Sequence, residues 1–195
     1  MRVIDTDIPE VKIIEPLVHG DDRGYFSETF RDKEFREKIC DTIFIQDNES
    51  MSSYGVLRGL HYQLPPFAQS KLVRVISGKV LDVAVDIREG SPTFGKHVAV
   101  ELSGENKRQF FVPRGFAHGY VVLSEKAIFN YKVDNYYAPQ CEGSVSYSDP
   151  QLNIDWKVKF EDILLSGKDK ISPLLDDAKL FDYDQKLYSQ TECVD

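Results

Sequence analysis

Residues 71–87, KLVRVISGKVLDVAVDI, decide the fold class. Gly78 divides them into two short runs, Lys71–Ser77 and Lys79–Ile87, both dense in valine, leucine and isoleucine as strands are. In the second run Leu81, Val83, Val85 and Ile87 share one face of an extended chain, and Asp82 and Asp86 take the other. Downstream, His97–Leu102 alternates in the same way, with Val98, Val100 and Leu102 together, and Gln109–Val112, Gly119–Leu123 and Ala127–Val133 add further strands. Upstream, Val11–Ile14 reads as a strand stopped by Pro16, and a polar turn at residues 19–24 leads into a second strand, Tyr25–Phe30. Thr42–Asn48 reads as a short strand followed by a serine-rich turn. Only Asp32–Cys40 has a convincing helical pattern, with Asp32 as N-cap and Phe35 and Ile39 four residues apart. Short strands at this spacing, without helices between them, predict an all-β sandwich or barrel.

After Pro139 the alternation weakens, and short helical pieces are expected near Leu164 and across Leu174–Leu180. No internal repeat or low-complexity linker interrupts the chain. Its 195 residues are expected to form one domain, with a core over about 11–170 and a tail over about 171–195.

The formal net charge is −8, which argues against nucleic-acid binding, a function that needs a basic face. Any anionic ligand would have to be held by a few focused cations. Cys40, Cys141 and Cys193 are odd in number and widely spaced, as reduced cytosolic thiols are. The N-terminal MRVIDTDIPE has acids where a signal peptide would be apolar, and no run has transmembrane length. The expectation is a soluble cytoplasmic protein without membrane partners.

The chemistry gathers at Arg58-Gly59-Leu60-His61-Tyr62-Gln63. On a regular strand His61 shares a face with Leu57, Gly59 and Gln63, whereas Arg58 points away. Both reach one pocket only if Gly59 permits a bulge or Arg58 stands at the strand's entry. Lys71, His118 and Tyr131 likewise share faces with apolar neighbours, which is costly unless the polar group is paired or the face lines a cavity. Taken singly, each has a structural reading: a strand-end histidine, a lysine opening a strand, a turn residue after Pro113-Arg114-Gly115, a tyrosine with its hydroxyl at the rim. Together they favour a ligand cavity.

RGLHYQ, the run from Lys71 to Lys96, FFVPRGFAHGYVVL, YKVDNYYAP and LLSGKD, in this order and spacing, resemble the nucleotide-sugar 3,5-epimerase family of the rhamnose pathway, from about Val11 to Asp169. The resemblance implies a cupin-like jelly roll with an N-terminal arm and short C-terminal helices, a homodimer, and no cofactor. The implied substrate is a dTDP-4-keto-6-deoxy sugar, dTDP-4-dehydro-6-deoxy-D-glucose, inverted at C3 and C5 through enolate intermediates to dTDP-4-dehydro-L-rhamnose. It implies roles as well: His61 as general base, Asp169 as the carboxylate that orients it, Tyr131 as acid on the opposite face of the sugar, and Lys71 beside the C4 oxygen. Arg23, Glu28, Gln46, Asp47, Asn48, Arg58, His118, Glu142 and Lys168 match ligand-contacting positions, and Tyr137 the aromatic that stacks on thymine. Epimerisation at one carbon only and a non-catalytic sugar-binding jelly roll are the alternatives. A metal-dependent cupin oxygenase is a third, but Tyr62 and Gln63 stand where a metal-binding cupin carries its second histidine. Turnover is therefore expected to survive exhaustive EDTA dialysis. Loss of activity that zinc or manganese restores would overturn that expectation.

Overall fold

The computed structural model describes residues 1–188 of the chain. Four short strands come first, β1 (Arg2–Asp5), β2 (Lys12–Glu15), β3 (Val18–Asp21) and β4 (Gly24–Ser27), followed by the helix α1 (Asp32–Lys38). The body contains β5 (Gln46–Ser53), β6 (Leu57–Gln63), β7 (Lys71–Ser77), β8 (Lys79–Asp86), β9 (Arg88–Glu89) and β10 (His97–Ser103). It continues through β11 (Gln109–Val112), β12 (Phe116–Val122), β13 (Lys126–Val133) and β14 (Glu142–Ser144), and β15 (Phe181–Asp182) lies in the tail.

Two main sheets form, one in the order β1-β2-β11-β7-β13-β5 and one in the order β10-β8-β12-β6-β14. Successive strands from β5 to β8, and again from β10 to β14, alternate between the two sheets, which gives a cupin-like jelly roll. Alternation in sequence becomes layering in space. Val73, Val75, Val80, Ala84, Phe110 and Phe129 meet between the sheets. Leu81, Val83, Val85 and Ile87 point outward from the second sheet, yet they too are buried, because Leu152, Trp156, Leu175 and Phe181 cover them. The acid face of β8, with Asp82, is therefore the inner one. On the far side α1 covers the first sheet, Phe35 packing edge-on against Phe44 and Phe111 at 5.1 and 5.3 Å.

Three local expectations need correction. The N-cap of α1 is Arg31, without a side-chain cap, and Asp32 is the first helical residue, where its charge suits the helix dipole. The helix ends at Lys38, short of Cys40. The serine-rich stretch after Asn48 is no turn but the body of β5, and residues 42–45 before it are irregular. Ser50 and Ser52 face inward there and meet polar groups, Ser50 Oγ lying 3.1 Å from Tyr120 Oη and Ser52 Oγ accepting from Arg58 Nη2 at 3.1 Å. The tail is docked as far as it is described: β15 pairs in parallel with β9, and Tyr188 Oη accepts from Arg114 N at 2.9 Å. Cys40 and Cys141 are free thiols, and Cys193 lies outside the described residues.

Where β6 runs beside β12 the register shifts, His118 opposing His61 but Tyr120 opposing Arg58. β6 thus carries one extra residue, a bulge around Gly59 and Leu60. Gly59 has φ +119°, and a Cβ there would come within 2.5 Å of Gly119 Cα and 2.6 Å of the His118 carbonyl oxygen. Only two glycines let the strands approach this closely. Gly59→Ala is expected to lower unfolding stability by at least about 2 kcal/mol, whereas Gly20→Ala, whose Cβ would make only an ordinary 3.7 Å contact with the Gly24 carbonyl oxygen, should stay within about 0.5 kcal/mol. Denaturant melts measure both, and equal effects would count against the bulge as a steric constraint.

Candidate active site

A cavity of about 980 Å³ opens between the two sheets, and the bulge aims both Arg58 and His61 into it. The two walls carry different chemistry. His61 and His118 come from β6 and β12 of one sheet, and Lys71 and Tyr131 come from β7 and β13 of the other. A ligand between the sheets would thus have a histidine on one side and a phenol on the other.

His61 Nε2 lies 2.5 Å from Asp169 Oδ1, and no other protein group among the described residues bonds to Nδ1. Asp169 opens a short 3-10 turn, residues 169–171, and its side chain is only 3% exposed. Its second oxygen accepts from Ser166 Oγ at 2.7 Å. Burial pushes the carboxyl up, but the hydrogen bonds from His61 and Ser166 outweigh it and hold Asp169 below the usual carboxylate range. An ionised carboxylate on one ring nitrogen fixes the tautomer of the other and stabilises an imidazolium when one forms.

His118 and Asp82 make a second, deeper pair, with Nε2 and Oδ1 2.8 Å apart. Burial pushes the His118 imidazole down and the Asp82 carboxyl up, each opposed by its partner. Lys71 makes one long contact, Nζ to the His61 carbonyl oxygen at 3.5 Å. Burial pushes its ammonium down to about 8, with Asp82 as the main opposing charge. Burial, helped by the Tyr120 phenol, raises Tyr131 above the ordinary phenol value, against a nearby Arg58.

At the mouth, Lys168 Nζ donates to Glu142 at 2.5 Å, and Tyr137 Oη donates to the same carboxylate at 3.4 Å. Gln46 and Asn48, two residues apart on β5, also face the cavity. Arg23, Glu28 and Asp47 do not. Asp47 has the opposite strand parity and pairs outside with Lys132 at 2.5 Å. Arg23 folds back on Asp21 in the exposed β3–β4 hairpin, and Glu28 pairs with Arg31. Ser50, Gln69, Tyr120 and Ser166 line the cavity, and Ser52 and Asp82 bond to Arg58 and His118 behind it; sequence reasoning singled out none of them for the site. Only Asp82 left a trace in the sequence, as an acid inside an apolar strand. Among the described residues no three histidine, cysteine, aspartate or glutamate side chains cluster so as to hold a metal ion.

Comparison with known proteins identifies the family. Residues 5–177 match the family model for dTDP-4-dehydrorhamnose 3,5-epimerase. The dTDP-4-dehydrorhamnose 3,5-epimerase of Shigella flexneri is 56% identical over 170 residues, covering 87% of this chain and 93% of that one. Among solved structures, the dTDP-6-deoxy-D-glucose-3,5-epimerase of Legionella pneumophila, in complex with dTDP-4-keto-L-rhamnose, superposes with a TM-score of 0.91 at 53% identity, covering 94% of this chain and 99% of that one. A 3'-monoepimerase from Streptomyces bikiniensis, solved with dTDP-quinovose, shares the fold at 35% identity and a TM-score of 0.82, over 88% of this chain and 87% of that one. By the extent and level of these matches the chain belongs to the dTDP-4-dehydrorhamnose 3,5-epimerase family of isomerases.

Proposed function

We propose that the chain inverts both C3 and C5 of dTDP-4-dehydro-6-deoxy-D-glucose, with His61 as base and Tyr131 as acid. What carries the reading is the opposition of the two groups across one cavity, His61 backed by Asp169 on one sheet and Tyr131 on the other. The hydrogens on C3 and C5 are acidic because the C4 ketone takes up the carbanion charge as an enolate. His61 Nδ1 removes one from its side of the ring, and Asp169 stabilises the resulting imidazolium. The half-buried Lys71 ammonium meets the enolate oxygen inside the cavity, where such charge is more effective than in bulk water. Tyr131 returns a proton from the opposite side, and the configuration inverts.

Arg58 and Lys168 suit the diphosphate as charge-assisted donors, and Tyr137, 58% exposed at the mouth, suits thymine. Gln46, Asn48, His118 and Glu142 complete the polar lining. Arg23 and Glu28 fit this scheme through a homodimer in which the hairpin β3–β4 and the residues after it reach a partner's cavity. Leu17, Tyr25 and Phe26 beside them are 64%, 62% and 69% exposed, an apolar surface that assembly would cover. Sedimentation should give twice the chain mass of 22.3 kDa, and a monomer at micromolar concentration would remove this assembly.

Proton NMR of the reaction in D2O tests the chemistry. Deuterium is expected at both C3 and C5. Label at one carbon would indicate single epimerisation, and no label would leave only a binding protein. His61→Ala and Asp169→Asn should each lower kcat by about 10²–10⁴-fold with the fold intact. Tyr131→Phe should still wash in deuterium, now with retained configuration, while inverted product falls sharply. Inversion by Tyr131→Phe at the wild-type rate would take the phenol out of the mechanism.

A further inference from the structure

Gln63 closes β6 two residues beyond His61, is only 4% exposed, and spends its amide on main chain. Nε2 donates to the carbonyl oxygens of Phe67 at 2.6 Å and Tyr136 at 3.1 Å, and Oε1 accepts from Ala138 N at 2.8 Å. Two of these three bonds fall on the residues immediately before and after Tyr137. Residues 134–138 form neither strand nor helix, and no backbone group among the described residues bonds to the Tyr136 carbonyl or the Ala138 N–H. A side-chain amide, with donors and an acceptor on one planar group, satisfies both at once. Neighbouring bonds tie the same loop down: Gln69 Nε2 donates to the Asn135 carbonyl at 2.7 Å, and Leu64 N to the Cys141 carbonyl at 2.8 Å. Tyr137 carries its exposed ring to the cavity mouth, and its hydroxyl makes only the 3.4 Å bond to Glu142 among the described residues. The ring is thus placed by its backbone, and the backbone by Gln63. We propose that Gln63 is the positioning residue for the nucleotide end of the site, holding Tyr137 ready as a platform for the base. The proposal rests on the assignment of Tyr137 to thymine made above.

A loop that is free before binding must be ordered when the nucleotide arrives, and that cost is subtracted from the affinity. A buried amide that fixes the loop in advance removes the cost from the binding step. The same geometry separates this role from catalysis. His61 and Gln63 lie on one strand, but His61 meets Asp169 whereas Gln63 meets the main chain on either side of Tyr137. None of the three partners of Gln63 is a group assigned to the proton transfers. Loss of its amide should therefore appear in nucleotide affinity and KM, and not in kcat.

Calorimetry with dTDP, together with kcat and KM on the dTDP-sugar, tests this on folded variants of the full chain. Tyr137→Ala should raise the Kd of dTDP about tenfold, as loss of a base-stacking ring does. Gln63→Met, close in size but without the amide, should raise Kd and KM about five- to tenfold and leave kcat within about threefold. In the Tyr137→Ala background the same substitution should add less than about twofold to Kd, because the ring it positions is gone. An unchanged Kd in Gln63→Met, a kcat that falls as far as kcat/KM, or an undiminished effect in the alanine background would each overturn the inference. An unchanged Kd in Tyr137→Ala would instead bring down the thymine assignment, and this inference with it. Should Gln63→Met fail to fold, amide hydrogen exchange of the wild type decides. An Ala138 N–H protected before dTDP is added supports the anchor, and protection that arises only with dTDP overturns it.

Discussion

The close approach of two backbones, β6 and β12 at Gly59 and Gly119, is the constraint on which the site depends. Without the extra residue of the bulge, Arg58 and His61 would lie on opposite faces of β6, and one would leave the cavity. With it, a single strand supplies both a histidine and a cation to the cavity. The approach is steric in origin: each glycine's missing Cβ is occupied by the other strand. The neighbouring register therefore has little freedom, and His61 is held opposite His118 by main-chain geometry before any side-chain contact forms.

From that placement the division of labour between the sheets follows. The second sheet brings two histidine–carboxylate pairs to one wall, and the first brings Lys71 and Tyr131 to the other. Neither sheet could do this as a flat, half-solvated layer. The second sheet is covered on its outer face by the C-terminal segment, with Trp156, Leu175 and Phe181, and the first by α1. Both are thereby rigid enough to keep polar groups apart across an open space instead of collapsing on them. An acidic chain can then hold an anion, because Arg58, Lys71 and Lys168 gather at this one opening.

Burial acts on the site's ionisable groups in opposite directions, and the pairings decide the outcome. Asp169 has two donors and remains a strong acid in spite of its depth. Asp82 has one donor, and burial prevails. Lys71 has no close acid and becomes a weaker base than a solvated lysine. The two carboxyl groups, one in the cavity wall and one behind it, thus differ in character through their partners, not through residue type.

Much of this was legible in the sequence. Period-two alternation marked most of the strands of the body, because each strand buries one or both faces against a partner layer. His61, Lys71, His118 and Tyr131 were conspicuous as polar residues on apolar faces, and Gly59 was conspicuous as the glycine that could reconcile Arg58 with His61. β5 was misread because its inward residues are serines that serve Arg58 and Tyr120, so burial left no apolar signature. The sequence by itself determined layering and parity, which are local consequences of backbone geometry. Only the tertiary structure decided that Asp169 meets His61 across 108 positions, that Asp82 meets His118 across 36, and that Asp47, Arg23 and Glu28 stand outside the cavity. Those relations depend on how separate strands and a distant turn are brought together, and no local pattern along the chain encodes the distance between them.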